Sequence, residues 1–179
     1  MEMDFRIEDT VLEGRVVAVN QDLARIGCDA VVLSAHPTLL PGGGVSGALH
    51  RAAGPELARA AGPLGPLAPG EAAATPGFAL PARMVIHAVA PPWSGGGRGE
   101  AEGLARCYAA VFRVAAASGA RSLAIPAIGA GIYGWPPDAA AAIGVAAARE
   151  FVVAGPGRRV VFALLDLTAF RAFSDLLTG

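Results

Sequence analysis

The sequence predicts an α/β fold, a three-layer α/β/α sandwich around a mixed, mostly parallel sheet. Three observations predict it. The apolar runs DAVVLSA (29–35), RMVIHAVA (83–90) and RVVFALL (159–165) are continuous rather than alternating, as in strands buried on both faces. Helical patterns separate them, which favours parallel pairing through crossover helices. The 24 glycines and 14 prolines among 179 residues lie between these segments, where ordered turns need them. A chain of this length is expected to form one domain over residues 1–179.

The elements follow in order. Asp4–Glu8 alternates polar and apolar residues and predicts an extra edge strand within residues 1–13. Gly14–Asn20 is valine-rich and reads as the next strand, followed by the buried strand Asp29–Ala35. A glycine loop and a helix come next, and Pro55 breaks or restarts that helix. Gly62–Gly77 reads as loop, Arg83–Ala90 as strand and Pro91–Gly99 as a flexible loop. From Glu100 to Ser118, Leu104, Tyr108, Val111, Phe112 and Ala115 recur at helical spacing, and Gly119 suits the C-cap. Arg121–Ala127 is a strand. Pro136, Pro137 and Asp138 then open a helix running to about Phe151. The strand Arg159–Leu165 and a closing helix over Thr168–Leu177 complete the order.

Composition removes several functions. The net charge of −1 gives no reason to expect sequence-specific nucleic-acid binding. All 14 basic residues are arginine, so chemistry that needs a lysine, such as a P-loop lysine or a Schiff base, is excluded. Cys28 and Cys107 stand alone at no metal or redox spacing, which predicts buried thiols and no metal. No apolar run approaches the roughly 18 residues of a membrane helix, and the acidic start does not read as a signal peptide. The expectation is a cytoplasmic protein without direct membrane contact.

Two glycine loops carry the chemistry. Gly42–Gly47 (GGGVSG) and Gly129–Gly134 (GAGIYG) each match G-x-G-x-x-G. Glycine backbone feeding a helix N-terminus aims bare N–H groups at one point and suits a phosphate. Two such loops suggest a ligand with more than one phosphate, held from two sides. A Rossmann dinucleotide unit fits poorly, because the first match comes several residues after its strand and no acidic residue ends the strand 83–90. Asp22 follows the valine-rich strand, where a carboxylate either caps a turn or accepts a hydrogen bond from an exocyclic amine.

In this order, the segments LLPGGGVSGALHRAAGPEL (39–57), GEAAATPGFALPARMVIHAV (70–89) and IPAIGAGIYGWP (125–136) resemble the macrodomain family, whose members bind ADP-ribose. The resemblance covers about Val16 to Leu177. It implies that Asp22, with Leu23 beside it, reads the adenine amine, and that Gly42, Gly43, Gly44, Val45, Ser46 and Gly47 wrap the pyrophosphate and distal ribose. It further implies that Gly129, Ala130, Gly131, Ile132 and Tyr133 close over the diphosphate from the other side. The implied partner is ADP-ribose or an ADP-ribosylated macromolecule, with no cofactor.

The sequence also departs from the family. Relatives that hydrolyse ADP-ribose esters carry Asn-Ala-Ala-Asn where this chain has Leu33-Ser34-Ala35-His36. Their catalytic aspartate is replaced by Ser46. A serine is no general base near neutral pH without a partner, and His36 is the candidate partner. The expectation is binding with weak or absent ester hydrolysis. The alternative is an active hydrolase built on His36 and Ser46, acting on mono-ADP-ribosylated protein, O-acetyl-ADP-ribose or ADP-ribose 1″-phosphate.

Overall fold

A computed structural model describes residues 15–178; the edge strand expected within residues 1–13 lies outside them. Six strands form one sheet: β1 (Val16–Val19), β2 (Ala30–Ser34), β3 (Ala72–Pro76), β4 (Met84–Ala88), β5 (Ser122–Ile125) and β6 (Arg159–Ala163). Five α-helices accompany them: α1 (Gly44–Ala53), α2 (Pro55–Ala61), α3 (Glu100–Ala117), α4 (Pro137–Val153) and α5 (Leu167–Thr178). The strand order is β1-β6-β5-β2-β4-β3. Every pairing is parallel except β3 with β4.

Period-2 alternation divides the central strands between two cores. Ala30, Val32, Ile86, Leu123, Ile125, Val160 and Phe162 face α3, α4 and α5. Val31, Leu33, Val85, Ala124 and Val161 face the α1–α2 side with Leu49 and Leu57. Both faces are covered, which is why these strands are apolar at most positions, with Ser34, His87, Ser122 and Arg159 the exceptions.

The segment 62–77, expected as loop, contains β3. This correction has a physical cause: β3 is AAATP, poor in β-branched residues and ending in proline, and it pairs on one side only. Pro55 restarts the helix as expected, with Gly54 at φ 89° between α1 and α2.

Candidate functional site

Four adjacent parallel strands, β1, β6, β5 and β2, end around one cleft of about 860 Å³. Its lining comes from the segment after each of them: Gln21–Ala24 after β1, Leu164–Asp166 after β6, Pro126–Tyr133 after β5, and Ala35–Gly43 with the start of α1 after β2. Ligand sites in open α/β sheets lie beyond such carboxyl ends, and the volume falls in the usual range for a small-molecule site.

One wall is the N-terminus of α1. Gly43 is the N-cap without a side-chain hydrogen bond, and the first capping carbonyl contact is Gly47 N–H to Gly43 O at 3.2 Å. The amides of Gly44, Val45 and Ser46 therefore have no partner among the described residues and form the positive end of the helix dipole. Gly42, Gly43, Gly44, Val45 and Ser46 all line the cleft. Gly47 does not. It is buried one step behind, and a Cβ there would collide with the carbonyl oxygen of Gly42. Its role is to let the loop lie against the helix.

The opposite wall is the loop after β5. Gly129, Ala130, Gly131, Ile132 and Tyr133 line the cleft as expected. Gly129 has φ 84°, and a Cβ on it would sit 2.6 Å from Cδ1 of Trp135. The Trp135 indole is buried behind the loop and donates from Nε1 to Pro91 O at 2.8 Å. The amides of Gly131, Ile132 and Tyr133 have no partner among the described residues. Ile132 is 98% exposed, Val45 48% and Leu40 54%, so the mouth of the cleft carries exposed apolar side chains.

At the β1–β6 end, Asp22 caps a short 3-10 turn, its Oδ1 accepting from Ala24 N at 2.9 Å. Turn capping and cleft lining are thus both true of Asp22, because the second oxygen takes no part in the cap. Leu23 lies beside it, buried. Asp166, which sequence reasoning missed, lines the same end and caps α5 through Oδ1 to Ala169 N at 2.8 Å. The signal was available: Asp166, like Asp22, follows a strand and precedes a helical turn. Asn20, also missed, donates from Nδ2 to Leu164 O at 2.7 Å and ties the ends of β1 and β6 together.

The α1 end differs in charge. Asp22 and Asp166 are the acidic residues of the lining, both at the far end, while the polar side chains near α1 are Ser34, His36, Thr38 and Ser46. His36 and Ser46 both line the cleft, yet no hydrogen bond joins them among the described residues. His36 Nδ1 instead accepts from Thr38 N at 3.2 Å and lies 2.8 Å from Thr38 Oγ1. Leu33 does not reach the cleft and packs in the α1–α2 core.

The remaining acids and histidines stand elsewhere. Asp29 sits at the amino end of β2. Burial works against its charge, but hydrogen bonds from the amides of Arg121 and Ser122, with Arg83 nearby, hold its carboxyl below the usual range. Glu56 pairs with Arg59 on the surface. His50 is buried on the inner side of α1 rather than at the phosphate end, and desolvation lowers its pKa. His87 is fully buried in β4, 2.9 Å from Thr75 Oγ1 on β3; desolvation, then the nearby His50, lower its pKa to about 4. Both histidines are structural. Cys28 and Cys107 are buried thiols not joined in a disulfide, and burial pushes Cys107 up to about 12. Among the described residues, no three acidic, histidine or cysteine side chains are placed to hold a metal ion, and no helix is long and apolar enough to cross a membrane.

Comparison with known proteins agrees with this geometry. A family model described as Macro domain matches residues 32–144. A macro domain-containing protein of Chlorobaculum tepidum is 46% identical over 158 residues, covering 88% of each chain. An O-acetyl-ADP-ribose deacetylase of Citrobacter rodentium is 40% identical over 173 residues, 93% of this chain and 97% of that protein. Among solved structures, the Oceanobacillus iheyensis macrodomain with ADP superposes with a TM-score of 0.85 at 32% identity, covering 90% of this chain and 88% of that one. The Trypanosoma brucei macrodomain in complex with ADP-ribose gives 0.84 at 29% identity, covering 92% and 69%.

Proposed function

The chain belongs to the macro domain family, and on that premise we propose that its cleft binds ADP-ribose, or a closely related ADP-ribosyl ligand, with ester hydrolysis weak or absent. The observation that carries the reading is the pair of opposed walls. The unpartnered amides of Gly44–Ser46 and those of Gly131–Tyr133 line one cleft, a geometry suited to a diphosphate. Asp22 stands at one end for the adenine amine, and the distal ribose falls toward Ser46 and His36. Titration calorimetry with ADP-ribose tests this, and no heat at high micromolar ligand overturns it.

Asp22 supplies a sharper test. A charge-assisted hydrogen bond to the adenine amine is worth about 1.5–3 kcal/mol, so Asp22→Ala is expected to weaken ADP-ribose about tenfold or more. An unchanged affinity would mean that adenine is not read there.

The second reading is an active hydrolase, favoured by the relatives described as O-acetyl-ADP-ribose deacetylases. Two features of the site argue against it. No carboxylate lines the α1 end to activate a water, and Nδ1 of His36 is engaged by Thr38, with no hydrogen bond from His36 to Ser46 among the described residues. The expected result is negligible release of ADP-ribose from mono-ADP-ribosylated protein and of acetate from O-acetyl-ADP-ribose. Turnover that disappears in His36→Ala would replace the binding reading with the hydrolase.

A further inference from the structure

We propose that Glu100, which lies outside the cleft, is a positioning residue for the second phosphate loop and sets its geometry through the Trp93–Trp135 pair. The proposal rests on the ADP-ribose reading for its ligand, but its spectroscopic test does not.

The chain of contacts starts at the head of α3. Glu100 is 4% exposed, and its carboxylate turns back on the loop before it. Oε1 accepts from Ser94 N at 3.0 Å, Ser94 Oγ at 2.8 Å and Gly96 N at 3.1 Å, and Oε2 accepts from Arg98 N at 2.7 Å. A run of glycines that reads as flexible in the sequence is thereby tied to one anion. The tied loop presses on Trp93: a Cβ on Gly96 would lie 2.8 Å from its Cη2.

Trp93 carries the constraint across to the cleft wall. Its amide donates to Tyr133 O at 2.8 Å, and its ring centroid lies 4.9 Å from that of Trp135. Trp135 in turn donates to Pro91 O and fills the space beneath Gly129. The second phosphate loop has few hydrogen bonds of its own, from Ala130, Gly134 and Trp135 amides to carbonyls within the same loop. Its free amides are therefore aimed by the neighbour behind it. None of Ser94, Gly96, Arg98 or Glu100 lines the cleft, so an effect of Glu100 on binding passes through Trp93, by its amide bond to Tyr133 O and its ring contact with Trp135.

An acid in the first turn of α3 also suits that helix's dipole, and helix capping alone is the competing account. Glu100→Gln distinguishes the two, since it replaces one acceptor oxygen by an NH₂ group that faces other donors. Ser94→Ala, which removes one of the four bonds, serves as a milder second variant. Two readouts are needed: the far-ultraviolet exciton band of the paired indoles without ligand, and calorimetric affinities for ADP-ribose and for AMP. AMP lacks the second phosphate and leans on the Asp22 end. The expected result is a diminished exciton band in Glu100→Gln, with ADP-ribose weakened about tenfold and AMP unchanged, and Ser94→Ala intermediate. An undiminished band, or equal losses for both ligands, overturns the proposal. If the unmodified protein binds neither ligand, the functional reading fails, while the exciton band still decides whether Glu100 holds the indoles.

Discussion

Replacing Gly47 by alanine is expected to abolish ADP-ribose binding without unfolding the protein. Gly47 lies inside α1, where alanine is favoured over glycine by roughly 0.5–1 kcal/mol. Local propensity thus predicts a slightly more stable helix. The new methyl group meets the Gly42 carbonyl oxygen, which is backbone of the phosphate loop, and Arg51 Nη1 at 3.2 Å. The arginine can swing away; the carbonyl can retreat only if the loop moves. Each loop or helix amide turned away from a phosphate forfeits a hydrogen bond to a charged group worth about 1.5–3 kcal/mol, so losing two costs about a hundredfold in affinity. Calorimetry on Gly47→Ala should show at least that loss, with a melting temperature equal to or below the unmodified value only by the strain of the shifted loop. Affinity within threefold of the unmodified protein would show that the loop adapts freely. Gly47 would then have no role in shaping the anion site.

The second large effect is expected in acid. His87 is buried with its Nδ1 unpartnered and its pKa held near 4 by desolvation and by His50. The unfolded chain takes up this proton below about pH 6.5, whereas the folded chain resists it until about pH 4. Stability from keeping this imidazole neutral is therefore complete above pH 6.5, declines as the pH falls, and is lost near pH 4. The difference corresponds to about 3 kcal/mol, a large share of the stability of an ordinary domain. His50, shifted the same way by burial, steepens the same decline. Urea midpoints recorded between pH 7 and 4 should show it, and His87→Leu should flatten the curve even if it lowers the plateau by stranding Thr75. A flat profile in the unmodified protein would contradict it. Glu100, held near 2 by Ser94 and by the Arg98 amide, titrates in a separate, lower window.

Most of the fold could be read from the sequence because its strands are buried on both faces, which writes unbroken apolar runs. β3 escaped because it depends on β4 for its conformation and has no apolar run of its own. The cleft walls were legible for a related reason: glycine is needed where backbone must approach a ligand or another loop, and it marks such places visibly. Asp166, Asn20 and Glu100 were harder. Asn20 reaches the Leu164 carbonyl from a distant part of the chain, a partner with no spacing signature. Asp166 and Glu100 bond amides within six residues of themselves, Asp166 in an ordinary capping position and Glu100 against a glycine run that reads as flexible. Gly47 was expected to wrap the pyrophosphate, yet it does not line the cleft and lies buried against the Gly42 carbonyl oxygen, a close approach that spacing alone does not reveal.

The cleft is also directional. Its acids, Asp22 and Asp166, cluster where β1 and β6 end, and its opposite end carries His36, Thr38 and Leu40 and no acid, with exposed residues at both ends. In the proposed orientation the adenosine is the anchored end and the distal ribose is the free one. In that orientation a group on the distal ribose would face the exposed His36 and Thr38. In that reading the cleft recognises its ligand chiefly at the nucleotide end, and the distal ribose is the part it holds least.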